Sequence, residues 1–132
     1  GEQFQLDLPG EFALPGGWRL RAQAVTVDAQ LYQLATANPD PFQAWLDRER
    51  LEFPLVVRSR LPGDRFQPLG MKGHSLKLSD FMINRKLPRR ARQGWPLILS
   101  GKQIAWVPGF HPSEQVALQA STVEAIHLQL SA

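Results

Sequence analysis

Turn-forming pairs interrupt this chain so often that short elements are favoured along most of its length. Pro9-Gly10, Pro15-Gly16-Gly17, Pro62-Gly63 and Pro108-Gly109 each break the backbone, and the apolar runs between them are brief. Proline removes a donor from any helix or central strand, and glycine takes the left-handed conformations that tight turns need. Between the turns, apolar residues alternate with polar ones. Phe4, Leu6 and Leu8 do so, and then Trp18, Leu20, Ala22 and Ala24, running to Val27, with Arg19, Arg21 and Gln23 facing the other way. A period of two marks a half-buried strand. Ala44-Trp45-Leu46 and the Val56-Val57-Arg58 stretch after Pro54 and Leu55 read as further strands. So do Leu97-Ile98-Leu99 and Ile104-Ala105-Trp106-Val107, joined by a turn at Ser100-Gly101-Lys102. Alternation returns at Val123, Ala125, Ile126, Leu128 and Leu130.

One segment carries helix signals. Ser79 is a good N-cap, Asp80 puts a negative charge in the first turn, and Arg85 and Lys86 put positive charge in the last. Leu78 and Ile83 stand at the two positions of a hydrophobic staple. Pro88 ends this helix and opens a second basic turn through Arg92. The expected class is α+β, strand-rich, with one or two short helices around 79–86 and 88–93. The 132 residues, 43% apolar with four Trp and seven Phe, are enough for one globular domain over 1–132. The proline-rich passage 36–43 is the best candidate for an internal break. There is no cysteine, which excludes disulfides and thiolate metal sites and fits a reducing cytoplasm. No apolar run approaches the ~20 residues of a membrane span and no signal peptide is visible, so no membrane partner is expected. The chain starts at Gly1, as expected of a piece of something longer.

Charge is distributed very unevenly. The stretch Arg58 to Arg92 holds ten of the fifteen Lys and Arg residues against two acids, Asp64 and Asp80, a segment of +8. Residues 1–57 sum to −4 and residues 93–132 to −1. A concentrated positive field attracts a polyanion, because each neutralised phosphate releases counterions. The candidate contacts are Arg58, Arg60, Arg65, Lys72, Lys77, Arg85, Lys86, Arg89, Arg90 and Arg92. Arg58 and Arg60 project from one face if the strand runs through both. Arg65 follows the Pro-Gly turn, where a guanidinium fork can be presented to phosphate. Phe66, Phe81 and Trp95 are interleaved with these charges and either stack on unpaired bases or pack in the core. Asp64 reads as a turn side chain and Asp80 as helix N-terminal charge. His74, His111 and His127 are too dispersed to form a ligand-spaced cluster, and no nucleophile elbow or phosphate-cradling loop occurs. No catalytic residue and no metal are expected within the chain. A solvated basic face without a partner is the bland alternative.

Arg58-Ser-Arg60-Leu-Pro62-Gly63-Asp64-Arg65-Phe66-Gln-Pro68-Leu-Gly70 resembles the signature of the C-terminal domain of bacterial tRNA(Ile)-lysidine synthetase. Lys77-Leu78-Ser-Asp80-Phe81, Lys86-Leu-Pro88, Arg92, Pro96 and Trp106-Val107-Pro108-Gly109 continue the match. The match is strong over 55–110 and weaker toward either end. The resemblance implies a β-rich layered fold, similar to a domain of the phenylalanyl-tRNA synthetase β subunit. It implies a tRNA-binding domain of an ATP-dependent ligase that converts the wobble cytidine of a CAU-anticodon isoleucine tRNA to lysidine. ATP and magnesium belong to an N-terminal catalytic domain whose Ser-Gly-Gly-any-Asp-Ser loop does not occur in these residues. The implied partners are isoleucine tRNA, held by its acceptor stem, and that catalytic domain. The implied basic contacts are Arg58, Arg60, Arg65, Lys77, Lys86 and Arg92, while Lys72, Arg85, Arg89 and Arg90 rest on charge alone. A competing expectation is an interaction domain whose basic face docks an acidic partner or the catalytic domain itself.

Overall fold

The alternating segments pair into two four-stranded antiparallel sheets. The structure is a computed structural model and describes residues 3–85 and 94–132. One sheet has the order β1 (Gln3–Leu6), β5 (Leu55–Arg58), β8 (Leu97–Ser100) and β9 (Gln103–Trp106). The other has the order β2 (Gly10–Ala13), β3 (Arg19–Thr26), β10 (Glu124–Ser131) and β4 (Gln43–Asp47). A small hairpin, β6 (Arg65–Phe66) with β7 (Leu76–Lys77), stands apart and leads directly into α2 (Leu78–Asn84).

Burial explains which alternations survive. In β3, Leu20 and Ala22 are buried while Arg19 and Arg21 face outwards. The pattern lapses at Ala24, which is exposed. The partner β2 reaches only to the Gly10↔Ala22 pair, so the far end of β3 is covered less. β10 lies between β3 and β4 and buries Ala125, Ile126, Leu128 and Leu130. β8 is buried along its whole length, as suits an inner strand. Both sheets contribute to one contiguous apolar cluster, and Phe66, Leu78, Phe81 and Met82 join it from the hairpin and α2. Each fully buried Leu, Ile or Phe in it contributes about 1.5–3 kcal/mol. The turn at Ser100-Gly101-Lys102 joins β8 to β9 as expected, with Gly101 at φ 58° in the left-handed region.

Several expectations are corrected. The segment after β3 is a helix, α1 (Ala29–Thr36), where no element was read. Asp28 caps it by accepting the Leu31 N–H at 2.7 Å. In α2 the cap position is Lys77, without a side-chain cap, and Leu78 is the first helical residue. Ser79 therefore is not the N-cap. The helix starts two residues early, with the Leu78 N–H donating to the Asp64 carbonyl at 2.9 Å. The expected staple is absent, since Leu78 is buried and Ile83 is 54% exposed. Asp80 does sit in the first turn, but no basic residue lies in the last, Arg85 being the C-cap. The second helix expected around 88–93 lies outside the described residues. The 36–43 passage is tied down by local bonds: Asn38 Nδ2 donates to the Asp40 and Gln43 carbonyls, and Asp40 Oδ1 accepts the Phe42 N–H.

Candidate nucleic-acid interface

β5 ends at Arg58, and the chain then turns back through Pro62-Gly63, with Gly63 at φ 87°. This return brings Asp64 to Arg58. Arg58 Nη1 donates to Asp64 Oδ2 at 2.8 Å and Nη2 to Oδ1 at 2.9 Å, while Nη1 also donates to the Ser59 carbonyl. Asp64 Oδ2 further accepts the Leu61 N–H at 2.8 Å, which fulfils its expected turn role. The two side chains are only 13% and 14% exposed. Burial pushes the Asp64 carboxyl up, but its bonds to Arg58 and Leu61 and the charges of Arg58 and Arg60 outweigh that. The net result holds the carboxyl below the usual carboxylate range. Arg58 is thus committed to bracing the turn. Because the strand stops there, Arg58 and Arg60 do not share a strand face as the spacing suggested.

The next cations are placed differently. β6 and β7 pair Arg65 directly with Lys77, and both are exposed. Residues opposite one another on antiparallel strands point to the same side, and like charges in that position repel. Arg65 does not pair with Asp64 or Asp80. Its Nε donates to Ser75 Oγ and its Nη2 to the Ser75 carbonyl, each at 3.1 Å, which leaves Nη1 for a ligand. Lys72 and His74 are exposed in the loop joining β6 and β7, with Lys72 itself at φ 52°. That loop is fastened by Gly73, whose N–H donates to Glu114 Oε2 and whose carbonyl accepts from Gln67 Nε2. Arg85 lies over the Phe81 ring, 4.9 Å from its centroid. Lys86, Arg89, Arg90 and Arg92 lie outside the described residues.

Ion pairing separates two populations of arginine. Arg19 and Arg21 flank Glu11, Arg48 meets Glu124, and Arg50 meets Asp47. By contrast, Arg60, Arg65, Lys72, Lys77 and Arg85 have no carboxylate within 4.0 Å among the described residues. Surface pairs contribute little stability, yet they cancel charge locally. Among the described residues the positive field therefore survives around the β6–β7 hairpin and α2, with Lys102 in the β8–β9 turn a lone unpaired cation elsewhere.

The interleaved aromatics belong to the core. Phe66 and Phe81 are 2% and 3% exposed and meet edge-to-face at 5.0 Å, with Phe110 next in line at 4.9 Å. Trp95 packs on Trp18 and its Nε1–H donates to the Pro108 carbonyl at 2.7 Å. None of these three rings is available as a flat stacking platform. A cleft of about 400 Å³ opens beside them, between the 35–41 passage and the Pro68, Arg85 and His111 side. No cluster of three or more His, Asp or Glu suited to a metal occurs among the described residues. No helix is long and apolar enough to cross a membrane. Sequence reasoning missed Ser75, which holds Arg65, and read Ser79 as a cap where it lines a cleft together with Arg60; a lone serine carries no pattern to reveal this.

Comparison with known proteins fits this layout. The family model of the TilS substrate C-terminal domain matches residues 55–129, which includes the hairpin, α2 and the last strand. The tRNA(Ile)-lysidine synthase of Symbiobacterium thermophilum is 41% identical over 124 residues, covering 92% of this chain and 24% of that protein. The tRNA(Ile)-lysidine synthase of Caldanaerobacter subterraneus is 33% identical over 124 residues, covering 94% of this chain and 26% of its own length. The chain thus spans about a quarter of the length of these relatives. A crystal structure of a TilS C-terminal domain superposes with a TM-score of 0.81 at 28% identity, covering 99% of this chain and 96% of that one. On the family match, the identity to these relatives and the shared fold, the chain belongs to the family of TilS substrate C-terminal domains.

Proposed function

We propose that this chain is the tRNA-binding C-terminal domain of a tRNA(Ile)-lysidine synthase, gripping isoleucine tRNA by its phosphates. The observation that carries the reading is the exposed Arg65–Lys77 pair, held face to face across β6–β7 with no counter-ion among the described residues. Two like charges kept side by side on a braced hairpin are tolerated more easily when an anion completes the site. The names of the relatives, tRNA(Ile)-lysidine synthases, support tRNA as that anion. In this reading the acceptor stem rests on the basic face in the cytoplasm. ATP and magnesium act on the wobble cytidine in the remainder of the enzyme, and the domain contributes position rather than chemistry.

Binding of isoleucine tRNA to two double variants tests this. Arg65→Gln with Lys77→Gln weakens binding by ~1–3 kcal/mol, the range for hydrogen bonds to charged groups. Arg19→Gln with Arg21→Gln, which removes cations already paired to Glu11, leaves affinity within about twofold. Equal losses in both variants would mean that tRNA responds to overall charge and not to this face. No loss in either, with tight binding to an acidic partner protein instead, would replace the reading by a protein-docking one.

A further inference from the structure

Beside the Arg58–Asp64 brace lies a cleft of about 230 Å³, lined by Arg60, Leu61, Gly63, Asp64, Lys77 and Ser79. Among its lining residues, Arg60 shows one anomaly: its Nε is buried and has no hydrogen-bond partner among the described residues. A buried N–H without an acceptor loses its hydration and gains nothing in return, more so when it belongs to a charged group, so such a group calls for an explanation. The Asp64 carboxylate nearby already takes three hydrogen bonds, two from Arg58 and one from the Leu61 N–H, and accepts none from Arg60. Lys77, on the other wall, is exposed and has no carboxylate partner among the described residues. The cleft is thus lined by two cations without an ion-pair partner among the described residues, one of them carrying the orphaned donor, and by a serine.

We propose that this cleft is a binding site for a single phosphate group, with Arg60 as its fork and Lys77 and Ser79 as its sides. An arriving oxyanion supplies the acceptor that Arg60 Nε lacks, and a guanidinium edge engages two phosphate oxygens at once. Lys77 adds a point charge and Ser79 a hydroxyl donor. Arg58 takes no part, because the Nη1–Nη2 edge of its guanidinium is already turned to the Asp64 carboxylate and the Ser59 carbonyl. Asp64 faces the same cleft, but its negative charge is matched by Arg58 and hydrogen-bonded, so the balance around the site stays positive. The volume, about 230 Å³, is ample for one phosphate group. The inference rests on the proposed tRNA-binding function only for the source of that phosphate.

The test is a titration of the ¹⁵N-labelled chain with inorganic phosphate, against chloride at matched ionic strength, following the Arg60 Nε–H and Ser79 amide resonances. Saturable shifts with phosphate alone are expected. Arg60→Lys, which keeps the charge and loses Nε, should weaken the Ser79 response about 5- to 20-fold. Lys77→Gln, at an exposed position, should weaken it without changing the melting temperature. Equal shifts with phosphate and chloride would overturn the site. Isoleucine tRNA is then added in place of phosphate. Movement of the same resonances, abolished by prior phosphate saturation, assigns the phosphate to nucleic acid. Salt-sensitive tRNA binding that leaves both resonances unmoved would overturn the site while leaving the tRNA reading intact. Phosphate binding by a chain that shows no tRNA binding at all would sustain the anion site and sink the tRNA reading.

Discussion

Arg58 and Arg60 are two residues apart and of one type, yet the fold gives them opposite roles. Arg58 makes a bidentate, largely buried pair with Asp64, whereas Arg60 is left with an unmet donor. Removing one partner of a buried pair strands the other, so Arg58→Ala or Asp64→Ala should cost about 2–3 kcal/mol in denaturant unfolding. Arg65→Ala, whose bonds are exposed, should cost under about 1 kcal/mol. Asp64 also sets an acid limit. Its folded carboxyl titrates below the unfolded value of 3.8, so its contribution is complete above that pH and is lost as pH falls through the folded value. Unfolding followed from pH 6 to pH 2 should show this loss in the wild type and not in Asp64→Asn. The turn role of Asp64 was legible from Pro62-Gly63-Asp64, because that tripeptide has local chemistry. Its partner was not, since only the completed turn brings Arg58 across six residues.

At the scale of elements, strands were easier to read than helices. Alternation locates β3 and β10, and short continuous apolar runs locate β4, β8 and β9, because each buries one or both faces against a shared core. α1 buries no residue fully, so it lacks the apolar stripe that makes a helix visible. The one available signal was Asp28, and Asp28→Ala should cost ~1 kcal/mol through loss of its cap. β6 and β7, two residues each, are too short to show a period. β4 and β10 meet at Trp45 and His127, whose rings stack at 4.3 Å with 3° between planes. Burial lowers the His127 pKa from 6.5. The unfolded chain therefore binds the proton more readily, so stability is full above pH 6.5 and declines as pH falls below it, until the folded ring also titrates. His127→Gln should flatten the thermal-stability profile between pH 7 and pH 5.

For the molecule as a whole, the segregation of charge was plain from the sequence, but its counter-ions were not. The paired arginines, Arg19, Arg21, Arg48 and Arg50, lie on the β2-β3-β10-β4 sheet or follow its β4 strand. Apart from Lys102 between β8 and β9, the unpaired cations among the described residues collect around β6–β7 and α2. Which side an arginine falls on depends on cross-strand neighbours such as Glu11 opposite Arg21, and those pairings exist only after the sheet forms. The aromatic residues misled for a related reason: Phe66 sits among charges in sequence and inside the core in space. The central claim is that the unpaired cations contact phosphates of tRNA. The most direct measurement is the salt dependence of isoleucine tRNA binding, for the wild type and for Arg65→Gln with Lys77→Gln. Five contacts by Arg60, Arg65, Lys72, Lys77 and Arg85 give a log–log slope between about −3 and −5, and the double variant should lose about 1.5–2 of it. A wild-type slope flatter than about −1, or one that the double variant leaves unchanged, would contradict the claim.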